Sequence, residues 1–365
     1  MDLFPYTLNT ATMLQVVLLG FIGGTLSGFI GSGGAFFMTP GMMNLGVPGV
    51  IAVGSNMTHK FGKALVGSRR HSEMGNVDKK MAVFMLITAA IGIRFAVWLN
   101  SEMIAGHTAG NAAHKEAATN LYISAVFVSV LAIVALSMVR DIIRSAKDES
   151  TGPSRRISDY LSRLKLFPVL HFPTADVNVS LWVVLAVGLV TGYLAGTIGV
   201  GGFAGVPAMI YIFGMPSAVA AGTELYLAVF MGGWGALNYV FEGKVDIRLT
   251  MLLYLGSLIG VHIGAYGTKV VKEVMIRLVT SMIILLSVIS RAIAVPTYLR
   301  QLGWVKLNPA LDLYFNGTSK AMLFVSGISG TGVILIQVVK AYVRRRRMYA
   351  TIVAEPELRE AKIHA

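Results

Sequence analysis

The chain has 365 residues, 55% hydrophobic and only 13% charged, where ordinary soluble domains carry about 25% charged residues. One soluble core cannot hide that much apolar surface, and the apolar residues fall in blocks of about 20, the length that spans a bilayer. Cysteine is absent, which removes disulfides, thiolate metal sites and cysteine nucleophiles; the net charge of +13 reads as a topology signal beside lipid head groups, not as a nucleic-acid surface.

The opening stretch MDLFPYTLNTATML has no basic run before its first apolar block, so it resembles neither a cleaved signal peptide nor a transit peptide. Apolar segments follow at about 12–30, 33–47, 50–68, 81–99 and 120–139, then, after a polar stretch over 140–178, at about 180–198, 202–214, 217–240, 249–266, 274–294 and 321–341. Lipid forces backbone groups to bond within a segment, so these are read as helices; they are too long and too uniformly apolar for barrel strands. The expectation is an all-α polytopic protein. Its parts are a first repeat (1–139), a cytoplasmic linker (140–178), a second repeat (179–294), an outer loop and extra helix (295–341), and a basic cytoplasmic tail (342–365).

Two repeats are inferred because the chain aligns with itself at a constant offset of 168 positions from Gly20 to Arg94. Gly20, Gly24 and Gly28 fall on Gly188, Gly192 and Gly196, and Gly75-x-Val77-Asp78 on Gly243-x-Val245-Asp246. Basic residues gather at Arg69, Arg70, Lys79 and Lys80, through the linker, and at Arg344–Arg347, whereas 100–119 holds only Lys115. Placing the basic regions in the cytoplasm requires five crossings per repeat, inverted relative to each other, and an eleventh crossing at 321–341. The short second segment is either one of those crossings or re-entrant.

Three motifs carry the functional reading. Gly31-Ser32-Gly33-Gly34 and its copy Gly199-Val200-Gly201-Gly202, each followed by a proline (Pro40, Pro207), interrupt long apolar runs and predict broken helices near mid-membrane. A half-helix starting there points free N–H groups and its positive dipole end at a cavity, which suits an anion. The Gly-x3-Gly-x3-Gly stripes read as packing seams. Polar residues inside the apolar segments form the third group: Asn56 and its repeat partner Glu224, Arg94 and its partner His262, then His59, Lys60 and Lys63. Buried ionisable groups in a membrane are functional candidates by default. The expected substrate site comprises Gly31, Gly33, Gly34, Asn56, Arg94, Gly199, Gly201, Gly202, Glu224 and His262, with Glu224 and His262 as candidates for proton coupling. His107 and His114 read as solvated loop residues.

The duplicated Gly-x-Gly-Gly break, the proline after it, the Gly54-Ser55-Asn56 and Gly222-Thr223-Glu224 turns and the Gly-x-Val-Asp stretch resemble the TauE/SafE family of sulfite exporters over about 20–95 and 190–290. Ala35 and Phe203 stand where members often carry a third glycine. The resemblance implies export of sulfite or a related organosulfur anion across the bacterial inner membrane by a multi-pass secondary transporter. Expected partners are a small anion and the bilayer, with no nucleic acid and no cofactor; a homo-oligomer is compatible with the sequence. An anion uptake symporter and a non-transporting membrane subunit are the alternatives. No nucleotide loop, HExxH or GxSxG pattern marks an enzyme.

Overall fold

The computed structural model describes residues 6–30, 34–108, 110–145, 158, 166–199, 201–271 and 273–363. Gly31, Gly33 and about half of the 140–178 linker (146–157 and 159–165) therefore lie outside the described residues, as do the side chains of Arg345, Arg346 and Arg347. The chain forms α1 (Thr10–Ile30), α2 (Ala35–Asn44), α3 (Gly49–Glu73), α4 (Lys79–Trp98), a π turn at Leu99–Met103, α5 (Ile104–His107) and α6 (Ala112–Ser145). A two-stranded antiparallel hairpin, β1 (Val169–Phe172) and β2 (Val177–Ser180), leads into α7 (Leu181–Ile198). Then come α8 (Gly201–Tyr211), α9 (Ser217–Phe241), α10 (Ile247–Val270), α11 (Glu273–Gln301) and α12 (Leu311–Ile363).

Seven of the described helices (α1, α4, α6, α7, α10, α11 and α12) are long and apolar enough to cross a bilayer. Large apolar side chains point outward along them, such as Val83, Ile87 and Ile91 on α4 and Leu255, Leu258 and Ile259 on α10, as a lipid-facing surface requires. This is an all-α polytopic membrane protein. At 25 residues each, α3 and α9 are about 37 Å long and could also cross, but they bury polar groups instead: Ser55, Asn56, His59 and Lys60 on α3, Thr223, Glu224 and Asn238 on α9.

The glycine stripes set the packing. A β-carbon at Gly20 would lie 2.5 Å from the Leu253 carbonyl oxygen, at Gly24 2.5 Å from Ser257 Cα, and at Gly28 2.3 Å from the Val261 carbonyl oxygen. So α1 and α10 touch backbone to backbone, and residue numbers rise together along the seam, which makes the pair parallel. A second seam joins α7 to α4, where Gly188 meets Met85, Gly192 meets Ala89 and Gly196 meets Ile93 and Ala96. Met85, Ala89 and Ile93 stand 168 positions before Leu253, Ser257 and Val261. Between the seams α3 and α9 run antiparallel: Gly54 meets Tyr239 and the Lys244 carbonyl, Gly235 meets Met57, Gly67 meets Leu225, and Gly222 meets the Asn76 carbonyl.

The Gly-x-Val-Asp stretches are turns. Gly75 (φ +72°) and Gly243 (φ +65°) adopt the left-handed conformation that reverses the chain, and Asp78 and Asp246 then cap α4 and α10 by accepting the Met81 and Arg248 amides, each at 2.9 Å. The Asp78 amide donates to Thr223 Oγ1 and the Asp246 amide to Ser55 Oγ, both at 3.0 Å. Each turn is thus fastened to the hydroxyl of the Gly-Thr-Glu or Gly-Ser-Asn element in the other half of the chain. The β-hairpin docks on the first turn through the Ala175 amide on Asp78 Oδ2 (3.2 Å) and Lys80 Nζ on the His171 carbonyl (2.8 Å). Since α3 runs parallel to α10 (His59 beside Ser257, Thr250 bonded to the Ser55 carbonyl) and Ile334 of α12 lies beside Gly267 near the end of α10, the basic end of α12 leaves the bundle on the same side as the Arg69–Lys80 turn. The 99–111 connection lies on the opposite side.

Candidate functional site

Both helix breaks are present, and each is a hairpin. The 10-residue α2 and the 11-residue α8 are about 15 Å long, half the hydrocarbon thickness of about 30 Å. Each folds back along the helix before it: a β-carbon at Gly34 would lie 1.6 Å from the Gly23 carbonyl oxygen, and one at Gly41 2.2 Å from Leu19. On the other hairpin, Gly201 meets Ala195 and Thr191, and Gly205 approaches Thr191. The short second segment is thus a half-length return helix that brings the chain back to the side from which α3 or α9 departs. Gly202 is buried in the first turn of α8. Neither α2 nor α8 has an acidic residue in its first turn, and Gly34 supplies no side-chain cap, so neither helix caps its own first-turn amides with a carboxylate.

Both breaks face one stripe of α3. Asn56, His59, Lys60 and Lys63 follow the spacing that places residues on one helix face. Asn56 Nδ2 donates to Thr39 Oγ1 of α2 at 2.8 Å. Both groups lie against Gly199, the left-handed residue (φ +76°) that ends α7; a β-carbon there would be 3.0 Å from each. His59 Nε2 is 2.8 Å from Ser257 Oγ, and its ring meets Tyr254 tilted, with centroids 4.7 Å apart. Lys63 donates to Ser27 Oγ of α1. Lys60 and Glu224 face each other at 3.9 Å with side chains only 6% and 2% exposed. Among the described residues, neither the Lys60 ammonium nor either Glu224 oxygen has a hydrogen-bond partner; the carboxylate lies against the α8 backbone, where a β-carbon on Gly205 would come within 2.4 Å of Oε2.

Of the residues expected at the site, the fold brings together Gly34, Asn56, Gly199, Gly201, Gly202 and Glu224. Arg94 and His262 are held elsewhere. Arg94 is 52% exposed and pairs with Glu242 at 3.2 Å, above a surface groove lined by Ile91, Phe95, Trp98 and Trp234. His262 is exposed and bonds the Leu258 carbonyl one turn back on α10. The cause lies in the neighbouring glycines: Gly92 and Gly260 face the seams, against Leu189 and Phe21, and a residue two positions on is turned by about 200° round the helix. His59, Lys60 and Lys63, candidates by their polarity in an apolar segment but outside the expected substrate site, lie on the same stripe as Asn56. Their signal was the i, i+3, i+4, i+7 spacing from Asn56. Thr39, Ser27 and Ser257 carried no signal of their own.

Electrostatically the site is unbalanced. Among the described residues, two lysines and a histidine share it with one carboxylate. A charge in a low-dielectric interior is costly unless it is paired, and here the single pair lacks hydrogen bonds.

The model of the family described as "Sulfite exporter TauE/SafE" matches residues 16–291, which takes in both hairpins, both seams and the α3 stripe. The chain is similar to three Bacillus subtilis (strain 168) proteins, each named a "Probable membrane transporter protein". YjnA is 27% identical over 276 residues, which cover 75% of this chain and 97% of the relative. YdhB is 24% identical over 72% of this chain and 94% of the relative, and YunE 23% identical over 74% and 94%. No solved structure matches the chain. This multi-pass membrane protein, with its paired helical hairpins closing on a buried cationic stripe, therefore belongs to the TauE/SafE sulfite exporter family.

Proposed function

We propose that the protein is a secondary transporter that carries a small anion such as sulfite or an organosulfonate out of the cell by alternating access. The observation that carries this reading is the excess of positive charge where the two hairpins meet: among the described residues, buried Lys60 and half-buried Lys63 face Glu224 alone. An anion seated there would complete the balance, with the first-turn amides of α2 and α8 supplying hydrogen bonds from the positive ends of two short helices. Gly34, Gly199, Gly201 and Gly202 would leave room for backbone approach, Asn56 would orient the anion, and Lys60 would give it charge. Glu224 is the proposed proton-exchanging group, since protonating it would release Lys60 to the substrate.

Inverted repeats are part of the proposal. Their support is the antiparallel α3–α9 pair and two seams related by the offset that aligns the sequence. Rocking one hairpin pair against the other would expose the stripe to each side in turn. Export is the favoured direction because, with the inside negative, each negative charge leaving gains about 2.3 kcal/mol per 100 mV.

The experiment is radiolabelled sulfite flux in proteoliposomes, with sulfate as a second anion whose charge does not change near neutral pH. Flux in the wild type and its loss in Lys60→Met are the expected results. Equal flux in Lys60→Met would remove the stripe from the transport path.

A further inference from the structure

Arg291 of α11 is fully buried, yet it forms no ion pair among the described residues. Its Nε donates to Ser124 Oγ of α6 at 2.9 Å, and one guanidinium nitrogen to Asn44 Oδ1 at 2.8 Å. The other donates to the Tyr298 hydroxyl, over whose ring the guanidinium lies at 5.3 Å. Every one of these acceptors is neutral. A guanidinium enclosed among neutral groups needs negative potential from somewhere. Asn44 identifies the source, because it is the last residue of α2, and the C-terminal end of a helix carries the negative pole of its dipole.

The same residue is held from a second side. Asn44 Oδ1 also lies 3.1 Å from Ser319 Oγ of α12, and Asn44 Nδ2 donates to Ser290 Oγ at 3.2 Å. Ser290 and Ser319 bond each other's backbone carbonyls at 2.6 and 2.7 Å. Two turns along α12, Gly327 admits the buried Phe37 of α2, whose ring tip would be 2.3 Å from a β-carbon there. The far end and one flank of α2 are therefore fixed by α11 and by a helix lying beyond the family match, which stops at Arg291. The near end of α2 is the one that opens on Asn56 and the lysine stripe.

We infer that Arg291 is a positioning residue for the anion site: with Asn44 and Ser319 it clamps the C-terminal end of α2 and so fixes the height at which the first-turn amides of α2 meet the substrate. This rests on the transport reading above, but the clamp has its own readout. Hydrogen exchange across 35–44 in the full-length protein reports on α2 whether or not an anion is carried, and sulfite KM in proteoliposomes reports on the site. In Arg291→Gln, exchange across α2 should rise about tenfold, with KM for sulfite up about tenfold and maximal rate per folded protein within about twofold. Arg291→Lys keeps charge at the dipole and should recover most of both, and Ser319→Ala should shift both in the same direction by about twofold. Unchanged exchange in α2 overturns the clamp. Raised exchange with unchanged KM reduces Arg291 to a stabilising residue and overturns its positioning role. If Arg291→Gln does not fold, Ser319→Ala and Asn44→Ala decide by the same two criteria. Absence of sulfite and sulfate flux in the wild type would instead sink the transport reading, and hydrogen exchange across α2 would still decide whether the clamp exists.

Discussion

At the scale of single residues, the paired Gly-Ser-Asn and Gly-Thr-Glu elements divide their work by position. The glycine lets a neighbouring turn approach, the hydroxyl of Ser55 or Thr223 accepts the amide of the opposite capping aspartate, and the third residue, Asn56 or Glu224, faces a hairpin. Ser55→Ala and Thr223→Val should each lower stability by about 1 kcal/mol, read as a lower unfolding temperature of the purified protein, whereas Thr223→Ser should be neutral. A larger loss in one than the other would break the equivalence of the two turns. The Lys60–Glu224 pair makes a sharper prediction. Lys60→Met strands a buried carboxylate and should cost about 3–5 kcal/mol, while Lys60→Met combined with Glu224→Leu should recover much of that stability without recovering transport. Destabilisation by the double variant equal to the sum of the single ones would show the two groups to be uncoupled. Asn56 and Glu224 were legible in the sequence because the repeat flagged them. The outward direction of Arg94 and His262 was legible only in principle, through the seam glycines two positions earlier.

At the scale of elements, the two breaks were readable from their glycines and prolines, but their form was not. Sequence shows where a helix stops; that α2 doubles back on α1 depends on Gly34 and Gly41 fitting against Gly23 and Leu19, contacts between residues whose partners no local pattern names. A β-carbon at Gly34 would overlap backbone, not a movable side chain tip, so Gly34→Ala should already displace the hairpin. The expected outcome is near-complete loss of sulfite flux with the protein still inserted, checked by cell-surface labelling and size-exclusion profile. Gly67→Ala is the control, since its β-carbon would meet only Leu225 side-chain atoms at 3.4 Å, and it should transport within about twofold of wild type. The seam glycines should behave differently again. Gly24→Val and Gly192→Val wedge apart whole transmembrane pairs and should lower the yield of folded protein in parallel.

At the scale of the whole molecule, the bundle places the Arg69–Lys80 turn and the end of α12 together, opposite the 99–111 connection, and the basic residues of the first two predict that side to be cytoplasmic. Because the chain has no cysteine, single reporters are simple to introduce. In intact cells an impermeant maleimide should label Asn111→Cys and Trp304→Cys but reach Met74→Cys only after permeabilisation; labelling of all three before it would contradict the orientation. The offset in the sequence led to an expectation of two related halves, but it did not say how the helices pair across the chain, since the partner of a glycine stripe leaves no mark in the stripe itself. That pairing bears on biogenesis. The glycine face of α1 finds its partner on α10 only after about 230 further residues have been made, tens of seconds at ordinary rates of synthesis. The early helices must therefore wait in the bilayer with their close-packing faces unfilled, open to lipid, to chaperones or to the wrong helix. The halves need not be covalently joined: fragments 1–145 and 158–365 made in the same cell should assemble into one particle, and each made singly should be degraded.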